Sequence, residues 1–202
     1  MMKVQSTFAR AGIMFLIFTL ICGIGYTGVV TLMSQLLFPY QANGSMITVN
    51  GITYGSELLG QQYTRADHLW GRQMELDTTT YKDSNGNALL YSKPSNLSPA
   101  SSEYQKLIAE RVAAIKAANP DAAGSVPVDL VTGSGSGLDP DISPAAADYQ
   151  VPRIAKASGL SEDQIRTFIA RCTSSKFLGI FGEQRVNVLK VNLLIENAEK
   201  AS

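Results

Sequence analysis

The chain has 202 residues, with 17 Lys and Arg balanced by 17 Asp and Glu, one His and two Cys. A balanced charge leaves no basic footprint for nucleic acid. One His excludes a paired-His zinc site, and two Cys, one of them within an apolar run, leave no intrachain disulfide to expect.

The first element is a charge-free apolar run, Ala11 to Phe38, with Lys3 and Arg10 ahead of it. As a helix it measures about 40 Å, longer than a hydrocarbon core of about 30 Å, so it spans with tilt or with one end projecting. No charge follows the run until Glu57. The positive-inside rule therefore predicts residues 1–10 in the cytoplasm, 11–38 across the membrane and 39–202 outside the cytoplasm. A cleaved signal peptide is the alternative, with Ala42-Asn43-Gly44 supplying small residues, but its apolar stretch takes about 7–15 residues. A lipoprotein signal fails because Ile21 precedes Cys22 where a small residue is needed. Gly23, Gly25 and Gly28 offer a packing face to other membrane helices, or reflect only that Gly is common in such helices. Gly25 and Gly28 do not form a Gly-x-x-x-Gly pair.

Without Lys3 and Arg10 the outer part keeps 15 basic against 17 acidic residues, a charge near −2. Its first motif is an alternating stretch, Ile47 to Tyr54, around Asn50-Gly51, which predicts a hairpin with a type I′ turn. A polar, turn-rich stretch follows from Gln62 to Ser98, long enough to suggest a functional or bound loop. Within it stands His68, the single histidine, through which any Ser-His-Asp triad would have to run. It has no Gly-x-Ser-x-Gly elbow to serve, so a surface or packing role is expected.

Ser102 and Gln105 read as a capping box for a helix that carries Tyr104, Leu107, Ile108, Val112 and Ile115 and ends at Asn119-Pro120. Val126 to Val131 reads as a strand. Ser143 and Pro144 open another helix, which Pro152 should break or kink. Ser161 and Gln164 cap a helix from Glu162 to about Ser174, on which Cys172 is expected as a small core residue. Val186 and Val188, with Leu189 to Val191, read as a strand, and Asn192 to Lys200 as a helix. The fold class expected is α/β: one N-terminal transmembrane helix followed by a compact, mixed α/β extracytoplasmic domain.

Gly133-Ser-Gly-Ser-Gly137 lacks the third glycine of a dinucleotide fingerprint, since Leu138 stands there, and it lacks the Gly-Lys-Ser/Thr of a P-loop. A turn feeding a helix is the expected role, with an anion-binding backbone nest as the alternative. Asp139 and Asp141 offer two carboxylates without the ladder of a calcium loop, so no metal site is expected, only a local attraction for cations.

Several segments together resemble the KdpC family, the small C subunit of the Kdp-type potassium-transporting P-type ATPase. They are Gln41-Ala-Asn-Gly-Ser45, Gly55-Ser-Glu-Leu-Leu-Gly-Gln61, Ala118-Asn-Pro-Asp121, the long run from Val126 to Ala147, Gln150-Val-Pro-Arg-Ile-Ala155 and Val186-Asn-Val-Leu189. The departure lies between Tyr63 and Pro99, where Asp67-His-Leu-Trp-Gly-Arg-Gln73 replaces the usual Tyr-Phe-His-Gly-Arg-Pro-Ser. Gly71 and Arg72 are kept.

The resemblance implies a non-catalytic accessory subunit. Its partners would be a channel-like A subunit that selects potassium, a P-type B subunit that hydrolyses ATP through an aspartyl phosphate, and a small F subunit, all in membrane lipid. ATP, Mg2+ and K+ would be used by those partners, with no cofactor in this chain, which has no Asp-Lys-Thr-Gly loop. The family is also proposed to act as a catalytic chaperone that raises ATP affinity in the B subunit through a glutamine nucleotide contact, for which Gln150 is the nearest candidate. An outer domain does not meet cytoplasmic ATP, so any such effect is expected to pass through coupling between subunits, with Gln150 a helix-surface amide bonded to a neighbour. The remaining alternative is a stand-alone membrane-anchored enzyme or binding protein.

Overall fold

The computed structural model describes residues 2–89 and 91–200, with side chains from residue 7 onward, so the Lys3 side chain lies outside what is described. By contacts the chain divides into two units, Met1–Ser56 and Glu57–Ser202.

The first unit begins with α1 (Met2–Phe18), a π-helical stretch (Thr19–Tyr26) and α2 (Thr27–Leu37), which run on as one rod. Residues Thr7–Leu37 of it form a 31-residue apolar helix with no buried side chain, long enough to cross a bilayer. Inside the rod, hydroxyls bond to backbone carbonyls, Thr19 to Phe15 O at 2.8 Å and Thr27 to Cys22 O at 3.2 Å, as polar side chains do where no water is at hand. Pro39 opens a short α3 (Pro39–Ala42). The hairpin follows as β1 (Met46–Val49) and β2 (Ile52–Ser56), paired antiparallel with Val49 opposite Ile52. Asn50 and Gly51 both have positive φ, 51° and 79°, the type I′ turn that their residue types demand.

Among the described residues, the second unit packs five helices and a small sheet around one core. Strands β3 (Leu76–Asp77) and β4 (Tyr91–Ser92) pair within the divergent loop. Asp77, 4% exposed, holds that loop together. Its carboxylate accepts from Thr79 N at 2.6 Å, Thr80 N at 3.0 Å, the Tyr91 hydroxyl at 3.2 Å and Lys93 Nζ at 2.7 Å. The Lys93 bond first, and the Thr79 bonds after it, hold this carboxyl far below the usual carboxylate range.

Helix α4 (Ser102–Ala118) ends at Asn119, as its Asn-Pro pair predicts, but its N-cap is Ser101 rather than Ser102, the Ser101 hydroxyl accepting from Tyr104 N. The segment 126–131 is not a strand. It forms a 3₁₀ turn (Val128–Leu130), because Asp129 accepts a hydrogen bond from Ser143 N at 2.8 Å and Leu130 is drawn into the core.

Strand β5 (Asp141–Ile142) precedes α5 (Pro144–Asp148), which is N-capped by Ser143 as expected. Pro152 does break the helix: α6 (Val151–Ser158) starts afresh with Pro in its first turn and ends on Gly159 at φ 74°. Helix α7 (Glu162–Arg171) has both arms of the Ser161/Gln164 capping box. It stops three residues short of Ser174, because Thr173 and Ser174 leave the helix to form β6 (Thr173–Ser174). Strand β7 (Arg185–Asn187) is the middle strand of the order β5-β7-β6, both pairings antiparallel.

The expected strand over Leu189 to Val191 is instead the start of α8 (Val188–Glu199), capped by the Asn187 side chain, which accepts from Lys190 N. Val188, Val191, Asn192 and Ile195 recur at helical spacing on its buried face. They meet Leu69, Leu130, Ile154 and Ile165, all fully buried. Each such side chain contributes about 1.5–3 kcal/mol by leaving water. Cys172 is half-buried against this core, and burial pushes its thiol pKa up, which fits a packing role over a nucleophilic one.

Candidate functional site

Residues 65–73 run across the second unit with little regular structure of their own, and side chains from distant helices supply the missing backbone partners. Leu69 N donates to Asn192 Oδ1 at 2.7 Å while Asn192 Nδ2 returns a bond to Leu69 O at 3.0 Å. One residue on, Trp70 N donates to Gln150 Oε1 at 2.9 Å and Gln150 Nε2 donates to Trp70 O at 3.0 Å. Gln150 Nε2 also reaches Ala146 O at 3.0 Å, and Arg153 Nη2 donates to Gln150 Oε1 at 2.7 Å. Both donors of the amide and both acceptor positions of its oxygen are thus used within the chain. Gln150 is 1% exposed: the expected surface amide sits in the interior, because the Pro152 helix break turns its position inward as the lead-in to α6.

Arg153 completes the knot. It is 8% exposed, and its guanidinium donates to Asn119 Oδ1 at 2.9 Å, to His68 O at 3.0 Å and to Ala66 O at 2.5 Å, with Trp70 stacked 4.2 Å away. Burial brings its pKa down to about 10, which leaves it charged at neutral pH. His68 is buried too, its ring between Asp67 Oδ1 at 2.8 Å and Glu196 Oε1 at 3.0 Å and stacked on Tyr63. Of the roles expected for His68, packing is the one its position serves.

Arg72 leads from this knot into a cleft of about 380 Å3 that contains Asp129, Asp139, Asp141 and Arg185. Its guanidinium donates to Gly133 O at 2.8 Å and lies 3.7 Å from Asp129 and 4.0 Å from Asp139. Its Nε is buried with no partner among the described residues. Asp141 is held by Arg185 Nε at 2.9 Å and Asn187 Nδ2 at 3.2 Å, and burial raises its pKa. Asp139 and Asp141 do share one cleft, each within reach of an arginine. No cluster of three or more metal-ligating side chains occurs among the described residues.

The glycine run packs against Glu75 and does not feed a helix directly. Glu75 N donates to Gly137 O at 3.1 Å, and a Cβ on Gly137, whose φ is 70°, would lie 2.8 Å from Glu75 O. The Glu75 carboxylate pairs with Arg111 at 3.0 Å. In the first unit, Gly23 and Gly25 fall in the π-helical stretch and Gly28 in α2; a Cβ on Gly23 or Gly28 would meet nothing within 4 Å.

Asn192 and Arg153 carry as much of this arrangement as Gln150 and were not singled out from the sequence. Asn192 had a visible signal: it is the one amide within the apolar repeat Val188, Val191, Ile195.

A family model described as KdpC: K+-transporting ATPase, c chain, matches residues 8–197. Among curated relatives, a potassium-transporting ATPase KdpC subunit of Clostridium botulinum (strain Eklund 17B / Type B) is 54% identical over 201 residues, covering 99% of this chain and 100% of that one. The same-named protein of Clostridium perfringens is 57% identical over 182 residues, 90% and 92% of the two chains, and that of Janthinobacterium sp. is 43% identical over 192 residues, 95% and 98%. On a match that spans the apolar helix, the knot around Trp70 and the cleft alike, the chain belongs to the KdpC family of potassium-transporting ATPase subunits.

Proposed function

We propose that this chain is a non-catalytic, membrane-anchored subunit of a Kdp-type potassium import complex. In this reading it stabilises the assembly of a channel-like A subunit, a P-type ATPase B subunit and a small F subunit, which use K+, Mg2+ and ATP. The observation that carries the reading is the near full-length similarity to KdpC subunits. Purification of the tagged chain from native membranes is expected to bring down the channel-like and ATPase subunits. Recovery of a clean, stable monomer in mild detergent would count against it.

The domain after the span is assigned to the outside of the cytoplasm on the imbalance of Lys3 and Arg10 against the charge-free stretch up to Glu57. In that position a catalytic-chaperone effect on ATP affinity travels through coupling between subunits, and not through a nucleotide bound at Gln150, whose amide is fully engaged within the chain. Protease added to sealed right-side-out vesicles is expected to digest the domain and spare Lys3. Protection of the whole domain would reverse the orientation and restore a direct ATP contact as the explanation.

A further inference from the structure

Between β6 and β7 the chain runs out into a turn, Lys176-Phe-Leu-Gly-Ile-Phe-Gly182, in which Phe177, Leu178, Ile180 and Phe181 are 71%, 74%, 76% and 62% exposed. Four large apolar side chains on one short turn of a water-soluble unit are not explained by folding, since none of them joins the core. We infer that this turn is a lipid-contacting tip that dips into the interfacial region of the bilayer to which the same chain is anchored.

Three observations favour lipid as its occupant. First, the turn closes on itself: Phe177 N donates to Phe181 O at 2.8 Å, Phe181 N to Phe177 O at 2.9 Å, Ile180 N to Phe177 O at 3.2 Å and Gly179 N to Lys176 O at 3.1 Å. Four N–H groups of the turn are thus satisfied within it, which lowers the cost of leaving water for the interfacial region. Second, no charge lies between Lys176 and Glu183, while Lys176 stands at the foot of the tip, where its ammonium can meet lipid phosphate as the aromatic rings sit at headgroup level. Third, the six residues 177–182 are all apolar or glycine and offer a partner no side-chain hydrogen-bonding group, whereas insertion into lipid needs no complementary surface. The 31-residue apolar helix of the same chain keeps the local concentration of bilayer high, so even a weak tip binds. Leu178 is held at φ 53°, an unfavourable conformation for a branched side chain, kept in the turn that presents it.

The inference rests on the membrane-anchored reading, which is checked separately by flotation and carbonate washing of the vesicles. The full chain, with Cys22→Ala and Cys172→Ser, carries an environment-sensitive fluorophore at Ile180→Cys or, as a control, at Lys116→Cys on the exposed face of α4. It is reconstituted in phosphatidylcholine–phosphatidylglycerol vesicles, and measured again in the complex purified from native membranes.

The expected result is a blue-shifted emission at position 180 that is quenched by nitroxide lipids labelled near the headgroup and spared by aqueous iodide, with the reverse at position 116. Adding Phe177→Ser and Phe181→Ser should abolish the lipid quenching at 180 while Trp70 emission, a monitor of the fold, stays unchanged. Iodide quenching at 180 equal to that at 116 would overturn the inference. So would protection from both quenchers in the complex, which would assign the tip to a protein partner.

Discussion

Gln150 and Trp70, 80 residues apart in the chain, exchange two hydrogen bonds through a side-chain amide, as two residues of neighbouring antiparallel strands would through their backbones. Asn192 does the same for Leu69. Removing either amide leaves a buried backbone N–H and C=O unpaired. Gln150→Leu and Asn192→Leu are each expected to lower stability by about 2–4 kcal/mol, in urea unfolding of the full chain in detergent. The two gripped residues are adjacent, so a double-mutant cycle should give a sum that fails to add. Additive losses would mean that the two grips act independently.

Arg153→Met should cost about 3 kcal/mol, because Ala66 O, His68 O and Asn119 Oδ1 lose the guanidinium that satisfies them. Arg153→Lys should recover only part of this, since an ammonium cannot reproduce the planar fork. Trp70 is the sole tryptophan and lies against that guanidinium, so its emission reports the loss directly. Native emission and stability in Arg153→Met would remove Arg153 from the knot.

The pH response of the divergent loop follows from Asp77. Its carboxyl has a lowered pKa in the folded chain, chiefly through Lys93. The stabilisation it gives is therefore complete above the unfolded value of about 3.9 and is lost as pH falls below that toward the folded one. Limited proteolysis between residues 73 and 93 should stay slow at pH 5 and accelerate in strong acid. Asp77→Asn should be cut quickly at every pH, with the acid step gone. An unchanged acid profile in the variant would show that another group governs the loop.

For Asp139 and Asp141, a local attraction for cations is the role to test. Arg185 and Arg72 lie close enough to offset much of their field, so the effect is limited to the scale of exposed charges, about 0.5 kcal/mol. Changing both to Asn in the assembled pump is expected to raise the potassium concentration for half-maximal ATPase activity by about twofold, more at low salt than at high salt. An assembled complex with the same potassium response would confine the pair to holding β5 beside β7.

What could be read from the chain alone was what short-range chemistry decides. Asn50-Gly51 demanded its turn, Ser143 and Ser161 met the donors of helices that begin one residue later, and Gln164 inside the second of these accepts in return from Ser161 N. Errors came where a distant contact overrules local preference. Val126 to Val131 has a strand's composition, yet Asp129 is drawn to Ser143 N and the segment coils. Val188 and Val191 suggest a strand too, yet both are drawn into the core with Leu69, Leu130 and Ile154, on the buried face of a helix that Asn187 caps. The interior place of Gln150 was beyond reach for the same reason, since three of its four bonds depend on Trp70 and on how α6 is restarted.

The π-helical stretch inside the apolar rod changes which small residues stand together. In a regular α-helix five residues turn through about 500°, which would leave Gly23 and Gly28 far apart around the axis. Where bonding runs from i to i+5, as it does over Thr19–Tyr26, a five-residue step comes nearer to a whole turn. Gly28 lies two residues past that stretch, in α2, so Gly23 and Gly28 stand nearer to each other around the axis than an unbroken α-helix would leave them, without sharing one line. Straightening the rod into an ordinary helix would carry the two glycines farther apart around it.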